Sequence, residues 1–131
     1  MYSYYENDNI KKLEPLQVFV FGSNLRGVHG AGAALAATKK FGASLGVGVG
    51  FTGHCWALPT KDHNINTLNL NIIGEFVKLF QKDAESYPDL DFMVTKVGCG
   101  LAGYSDSQIA VLFKDSPINC VFHSDWKKYL E

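Results

Sequence analysis

The sequence predicts an α/β fold, a mainly parallel sheet with helices on both faces. Three observations carry this. Strand-forming apolar runs alternate with helix-forming segments along the chain, the order that builds a parallel sheet. The run Val18-Phe19-Val20-Phe21 is continuously apolar, as expected of a strand covered on both faces. And the chain twice runs from a strand through a glycine loop into a helix, at Ser23–Ala34 and at Gly98–Gln108.

Taken in order, the elements read as follows. Residues 1–15 are polar and tyrosine-rich, either a short leading strand or a loose tail. Leu16–Phe21 is the first core strand. Ala31–Phe41 is a helix, with Lys39 and Lys40 in its last turn and Gly42 as its stop. Gly46-Val47-Gly48-Val49-Gly50 reads as a flexible surface loop, with a lid over a ligand as the alternative. Cys55–Pro59 is a short strand that proline ends. Leu68–Ser86 is the clearest helix: Leu70, Ile73, Val77, Phe80 and Ala84 share one face, while Glu75, Lys78, Lys82 and Glu85 take the other. Asp91–Val97 is a buried strand. Ser105 then opens a helix to Phe113 with a capping box completed by Gln108. Ile118–Phe122 is the last strand. No repeat, linker or low-complexity tract interrupts the series, so 1–131 reads as one domain.

Composition sets the class. A chain of 131 residues with 47% hydrophobic and 13% aromatic residues has enough apolar side chain for one core without disulfide staples. The net charge of −1 excludes broad electrostatic binding to a nucleic-acid backbone, though not a pocket that reads one nucleotide. Cys55, Cys99 and Cys120 are odd in number and without framework spacing, so they read as reduced thiols. No apolar run is long enough to span a bilayer, and the opening Met1-Tyr2-Ser3-Tyr4-Tyr5 is no signal peptide. A soluble, cytoplasmic protein is expected.

The chemistry concentrates in the two glycine loops. A strand, a glycine loop and a helix start together present unpaired backbone N–H groups to an anion. Glycine lets a diphosphate approach the backbone without meeting a Cβ, although the same pattern also serves as a plain tight turn. Two such loops side by side at the carboxyl edge of the sheet would clasp one diphosphate from both sides. Asn24, at the mouth of the first loop, is placed to hydrogen-bond something polar. Cys99 reads either as an activated nucleophile or as a small packed thiol; the absence of a neighbouring histidine favours the thiol. His54, Cys55, Cys120 and His123 do not make a zinc set, because Cys120 and His123 face opposite sides of one strand. His29 reads as a solvated loop residue or a ligand contact, and Trp56 and Tyr104 as core or rim packing or as walls for a base or ribose.

With both loops placed, the chain resembles the macrodomain family of ADP-ribose-binding modules, and within it the branch of DarG-type antitoxins and terminal ADP-ribose glycohydrolases. Three stretches carry the likeness. Asn24-Leu25-Arg26-Gly27-Val28-His29-Gly30-Ala31-Gly32-Ala33-Ala34 is similar to that branch's N-x-x-G-V-x-G-x-G-x-A; Leu58-Pro59-Thr60-Lys61 to its L-P-T-K; and Val97-Gly98-Cys99-Gly100-Leu101-Ala102-Gly103 to its G-C-G-L-x-G before a helix. Together they span about residues 16–122, and the third is the most specific. The resemblance implies a three-layer α-β-α sandwich with a mixed, mainly parallel sheet.

It also implies roles. Asn24 would hydrogen-bond the distal ribose. Gly30, Ala31 and Gly32 would present backbone to that ribose and the diphosphate, and Gly98, Cys99, Gly100, Leu101, Ala102, Gly103 and Tyr104 would wrap the ligand from the other side. Lys61 would be catalytic, with Asn24 beside it. Asn9, before Ile10, is the only candidate for the residue that reads adenine, at a spacing to Asn24 slightly different from the family's aspartate. Ala102 stands where some glycohydrolases of the branch carry a catalytic aspartate, which leaves the lysine mechanism. The implied activity is hydrolysis of ADP-ribose from a modified nucleobase, protein or small molecule, with ADP-ribosylated nucleic acid among the substrates and no cofactor, metal or membrane. The alternatives are a non-catalytic binder or sequestering module for ADP-ribose or a nucleotide signal derived from it, and an unrelated phosphate-binding α/β protein that acts through a partner. A lysine assists glycosidic cleavage only as a free amine, either as a base or as a nucleophile on the opened sugar. His63, two residues on, is the sequence's candidate for a cationic neighbour.

Overall fold

The computed structural model describes residues Met1–Glu131. Six strands form one sheet: β1 (Ser3–Tyr5), β2 (Gln17–Asn24), β3 (Gly50–Thr52), β4 (Cys55–Lys61), β5 (Asp91–Val94) and β6 (Cys120–His123). Their spatial order is β1-β6-β5-β2-β4-β3. Every pairing is parallel except the edge pair β3/β4. The helices are α1 (Gly32–Lys40), α2 (Leu70–Ser86), α3 (Asp106–Ala110) and α4 (Lys127–Leu130), with 3₁₀ turns at Val111–Phe113 and Ser124–Trp126.

Both faces of the sheet are covered, as the apolar run in β2 predicts. Val18 and Val20 join the larger core, which holds Ile73, Val77, Phe80 and Ala84 of α2, Ile109 and Ala110 of α3, and Trp126. Phe19 and Phe21 alternate to the other face and pack with Ala37 of α1 and with Phe41. The sandwich is therefore three-layered and asymmetric, with the larger core on the α2 side.

Several boundaries differ from the sequence expectation, each for a local reason. The polar N-terminal segment supplies an edge strand, β1, paired with β6. β2 runs on to Asn24, and β4 runs through Pro59 to Lys61. Proline is tolerated there because β3 reaches only from Cys55 to Ala57, so Pro59 lies on an open edge. β5 stops at Val94, not Val97: the N–H and the hydroxyl of Thr95 both turn onto the Val20 carbonyl, at 3.1 and 2.7 Å. The last strand begins at Cys120, two residues late. The helix expected over Ser105–Phe113 is α-helical only to Ala110, then tightens to 3₁₀; its capping box is present as predicted.

The Gly46–Gly50 stretch is neither a lid nor a free loop. Its end forms the start of β3, and the rest is fastened to the end of β2. The Gly46 N–H bonds the Gly27 carbonyl at 2.8 Å, and the Ser23 hydroxyl donates to the Gly48 carbonyl. The approach is so close that a Cβ on Gly27 would fall on the Gly46 backbone, and one on Gly48 on the Asn24 carbonyl.

Candidate functional site

The carboxyl ends of three adjacent strands, β5, β2 and β4, meet at one edge of the sheet. There Gly22 is the contact point. A Cβ on it would lie 3.6 Å from both the Gly98 nitrogen and the Thr60 hydroxyl. The two glycine loops and the end of β4 thus share one corner of the fold. Gly98 itself has φ +77°, and a Cβ on it would come within 2.9 Å of Ile109, so the second loop is seated directly on the first turn of packing beneath α3.

Both loops present unpaired donors. In the first, the backbone N–H groups of His29, Gly30, Ala31, Gly32, Ala33 and Ala34 have no acceptor; the next, Leu35, bonds the Ala31 carbonyl. Helix α1 opens without a capping side chain and without an acidic residue in its first turn, so its positive end is left uncompensated. In the second loop, the N–H groups of Gly98, Gly100, Leu101 and Ala102 are likewise without acceptors, while Cys99, Gly103 and Tyr104 close the turn internally. Nothing stands within 4 Å of where a Cβ on Gly30, Gly32, Gly100 or Gly103 would be. These four glycines therefore border open space.

Asn24 and Lys61 come together. They are register partners at the ends of β2 and β4, one residue past a bulge at Thr60, and the Leu25 N–H bonds the Lys61 carbonyl at 2.9 Å. The Asn24 amide is committed locally: it donates to the Val28 carbonyl at 2.7 Å and accepts from the Val28 N–H at 3.1 Å. It braces the first loop. Lys61 is half-buried and makes no ion pair, and His63 is exposed.

The segment after Lys61 is pinned to the second loop. Thr67 bridges back to Lys61 and its hydroxyl donates to the Ala102 carbonyl at 3.2 Å. The Tyr104 hydroxyl donates to the Leu68 carbonyl at 2.6 Å. Thr60 and Thr67 are thus part of the site's frame; Thr60 stands in the Leu58–Lys61 stretch of the sequence resemblance without a role of its own there, and Thr67 is not singled out in the sequence. Leu101 is 80% exposed at the tip of the second loop.

The remaining candidates stand as follows. The Asn9 side chain is exposed and without a hydrogen-bond partner; its neighbour Asp8 instead meets His123 Nε2 at 3.1 Å. Trp56 is fully buried with its indole N–H on Asp83, so it is a core residue and walls no ligand. His29 is buried, not solvated. Burial pushes the Cys99 thiol up to about 12, and Asp106 beside it adds to the shift, so Cys99 is a packed, protonated thiol. No group of three or more His, Cys, Asp or Glu residues is arranged to hold a metal ion.

An ionic cluster stiffens the second loop from behind. Lys96 pairs with Asp125 at 3.0 Å and Asp106 at 3.4 Å, and Asp106 also accepts the Trp126 indole N–H at 2.9 Å. The bond to Asp125 raises the Lys96 ammonium. Burial pushes the Asp106 carboxyl up, but the Trp126 bond and Lys96 more than offset this and leave it lowered. A wide depression lies beyond this cluster, lined by Asp106, Ser124, Asp125, Lys127, Lys128 and Glu131. It has no apolar wall for a nucleoside, and the free N–H donors lie in the glycine loops instead, so the glycine corner is the better site.

No protein-family model and no curated protein matches the chain in sequence. Solved structures do match in shape. A protein of unknown function from Bacteroides thetaiotaomicron is similar with a TM-score of 0.66 at 14% identity, over 94% of this chain and 97% of that one. A macrodomain protein from Streptomyces coelicolor is similar with a TM-score of 0.55 at 18% identity, over 95% of this chain and 99% of that one. At these identities the likeness speaks for architecture, and this chain has a macrodomain-like α/β fold.

Proposed function

We propose that the protein is an ADP-ribose-binding module of macrodomain type, with its ligand held between the Gly30–Gly32 and Gly98–Gly103 loops. The observation that carries this reading is the pair of donor arcs. Six consecutive free N–H groups, His29–Ala34, follow β2 in the loop into α1, and four more follow the adjacent strand β5. A diphosphate is an acceptor suited to two neighbouring runs of backbone donors. The macrodomain-like fold supports the ribose and adenine flanks of the ligand.

Within this proposal Asn24 shapes the first loop through Val28, and Lys61 stands where the distal ribose would lie. Cleavage of a glycosidic bond there develops positive charge on the anomeric carbon. An amine at Lys61 would serve as base, or as nucleophile on the opened sugar. The substrates in view are an ADP-ribosylated nucleobase, protein or small molecule. A second reading, a binder without turnover, is favoured by one observation: the Asn24 amide, expected on the distal ribose, is occupied with Val28.

Calorimetric titration with ADP-ribose, ADP and NAD tests binding, and tight binding of ADP-ribose is expected. Single-turnover release of ADP-ribose from modified nucleic acid and protein then tests hydrolysis. Lys61→Ala should lose release while it keeps ADP-ribose affinity. A parent that binds but releases nothing from any substrate leaves the binder reading in place of the enzyme.

A further inference from the structure

Beneath the first loop lies a side chain that packing does not explain. His29 is 3% exposed, and neither Nδ1 nor Nε2 has a hydrogen-bond partner. Its ring stands edge-on to Phe21, with centroids 5.2 Å apart, and Phe21 belongs to the smaller core. A phenyl ring at this position would make the same contact and leave no polar atom unpaired. Buried polar groups in folded proteins nearly always have partners, and an unpaired one is destabilising. Histidine is therefore held here against the interest of stability.

Its surroundings indicate the missing partner. The chain neighbours Val28 and Gly30 are exposed. From His29 to Ala34 every backbone N–H lacks an acceptor, and α1 opens uncapped. Donors crowd this corner, and an anionic acceptor is the group that suits it. The stretch is also lightly held: Asn24 fixes Val28, but no backbone hydrogen bond holds His29 or Gly30.

We propose that His29 is a binding residue of the anion site, paired only when that site is filled. Closure of the turn Val28–Ala31 on a phosphate-bearing ligand brings an imidazole N–H onto a phosphate oxygen. The proposal rests on the reading of the cleft as a diphosphate site, and not on the ligand being ADP-ribose.

The test uses His29→Phe, which keeps the edge contact with Phe21 and removes both nitrogens. Its thermal midpoint should equal or exceed the parent's. Its affinity for inorganic pyrophosphate and for ADP-ribose should fall about ten- to a hundredfold, the worth of one charge-assisted hydrogen bond. In the parent, the ¹⁵N resonances of the His29 imidazole should move as pyrophosphate saturates the site. Midpoint and affinity falling together, unchanged affinity in the folded variant, or imidazole resonances that stay fixed at saturation would each overturn the proposal. A parent whose imidazole responds to pyrophosphate but which does not bind ADP-ribose overturns the ADP-ribose reading and sustains His29. A parent that binds ADP-ribose with a silent imidazole does the reverse, and one that binds neither ligand overturns both.

Discussion

Substituting glutamate for Gly30 isolates the electrostatic part of the site. Gly32 looks equivalent in sequence, but its φ of +58° makes any side chain there strained, and a loss of binding would be mixed with a loss of fold. Gly30 has no such φ and no atom within 4 Å of a new Cβ. The variant should therefore fold with a thermal midpoint near the parent's. Its carboxylate would stand among the free donors of residues 29–34, in competition with the ligand. Two unit charges 4 Å apart repel by about 1 kcal/mol in water and about 4 kcal/mol at the effective dielectric of a protein surface. Against the two charges of a diphosphate, even the lower value gives about 2 kcal/mol, roughly thirtyfold in affinity. Gly30→Ala adds no charge and should cost far less. Titration calorimetry of parent and both variants with ADP-ribose and ADP measures the difference. A folded Gly30→Glu protein that binds both ligands as the parent does would place the site elsewhere.

Three further outcomes follow from the geometry. Asn24→Ala removes both hydrogen bonds to Val28, at about 0.5–1.5 kcal/mol each, and should weaken ADP and ADP-ribose equally; a loss confined to ADP-ribose would mean that the amide touches the distal ribose. Gly27→Ala puts a Cβ onto the Gly46 backbone at φ +76°, so strain and overpacking should cost about 2–5 kcal/mol and lower the melting temperature by about 7–18 °C; a midpoint within a degree or two of the parent's would refute the packed loop. The carboxyls of Asp106 and Asp125 are lowered in the folded state, so their contribution is present above the ordinary carboxylate value of about 4 and drains as pH falls through their folded values. The Lys96 ammonium is raised, so its share is full below about pH 10 and is lost only above that. Lys96→Met should flatten the acid limb of a plot of stability against pH, and an unchanged limb would remove the cluster from the account.

Much of the fold was legible because it follows from patterns that sequence carries directly. The α2 stripe, the apolar run of β2 and the capping box at Ser105 each specify a local structure and its buried face. What escaped depends on contacts between distant segments. β5 ends early because Thr95 finds the Val20 carbonyl, and β4 passes Pro59 because β3 is short; neither partner is visible from the strand itself. The glycines of residues 46–50 read as flexibility, yet two of the closest backbone approaches in the chain need them or their partner, at Gly27–Gly46 and Gly48–Asn24.

The site divides in the same way. The glycine loops were legible because free N–H groups at a strand–loop–helix junction are a consequence of local geometry. Side-chain roles were less so. Asn24 lies at the mouth of the first loop but is committed to Val28, and Asn9 is not tied to either loop. His29, flanked by exposed residues, carries no sequence signal that its ring is buried.

The most direct test of the account is an amide titration by NMR with ADP-ribose. The backbone N–H resonances of His29–Ala34 and of Gly98, Gly100, Leu101 and Ala102 should move together to lower field as acceptors arrive, with those lining the depression at Ser124 and Lys127 unmoved. Shifts confined to that depression, or no shift in either glycine loop at saturating ligand, would contradict it.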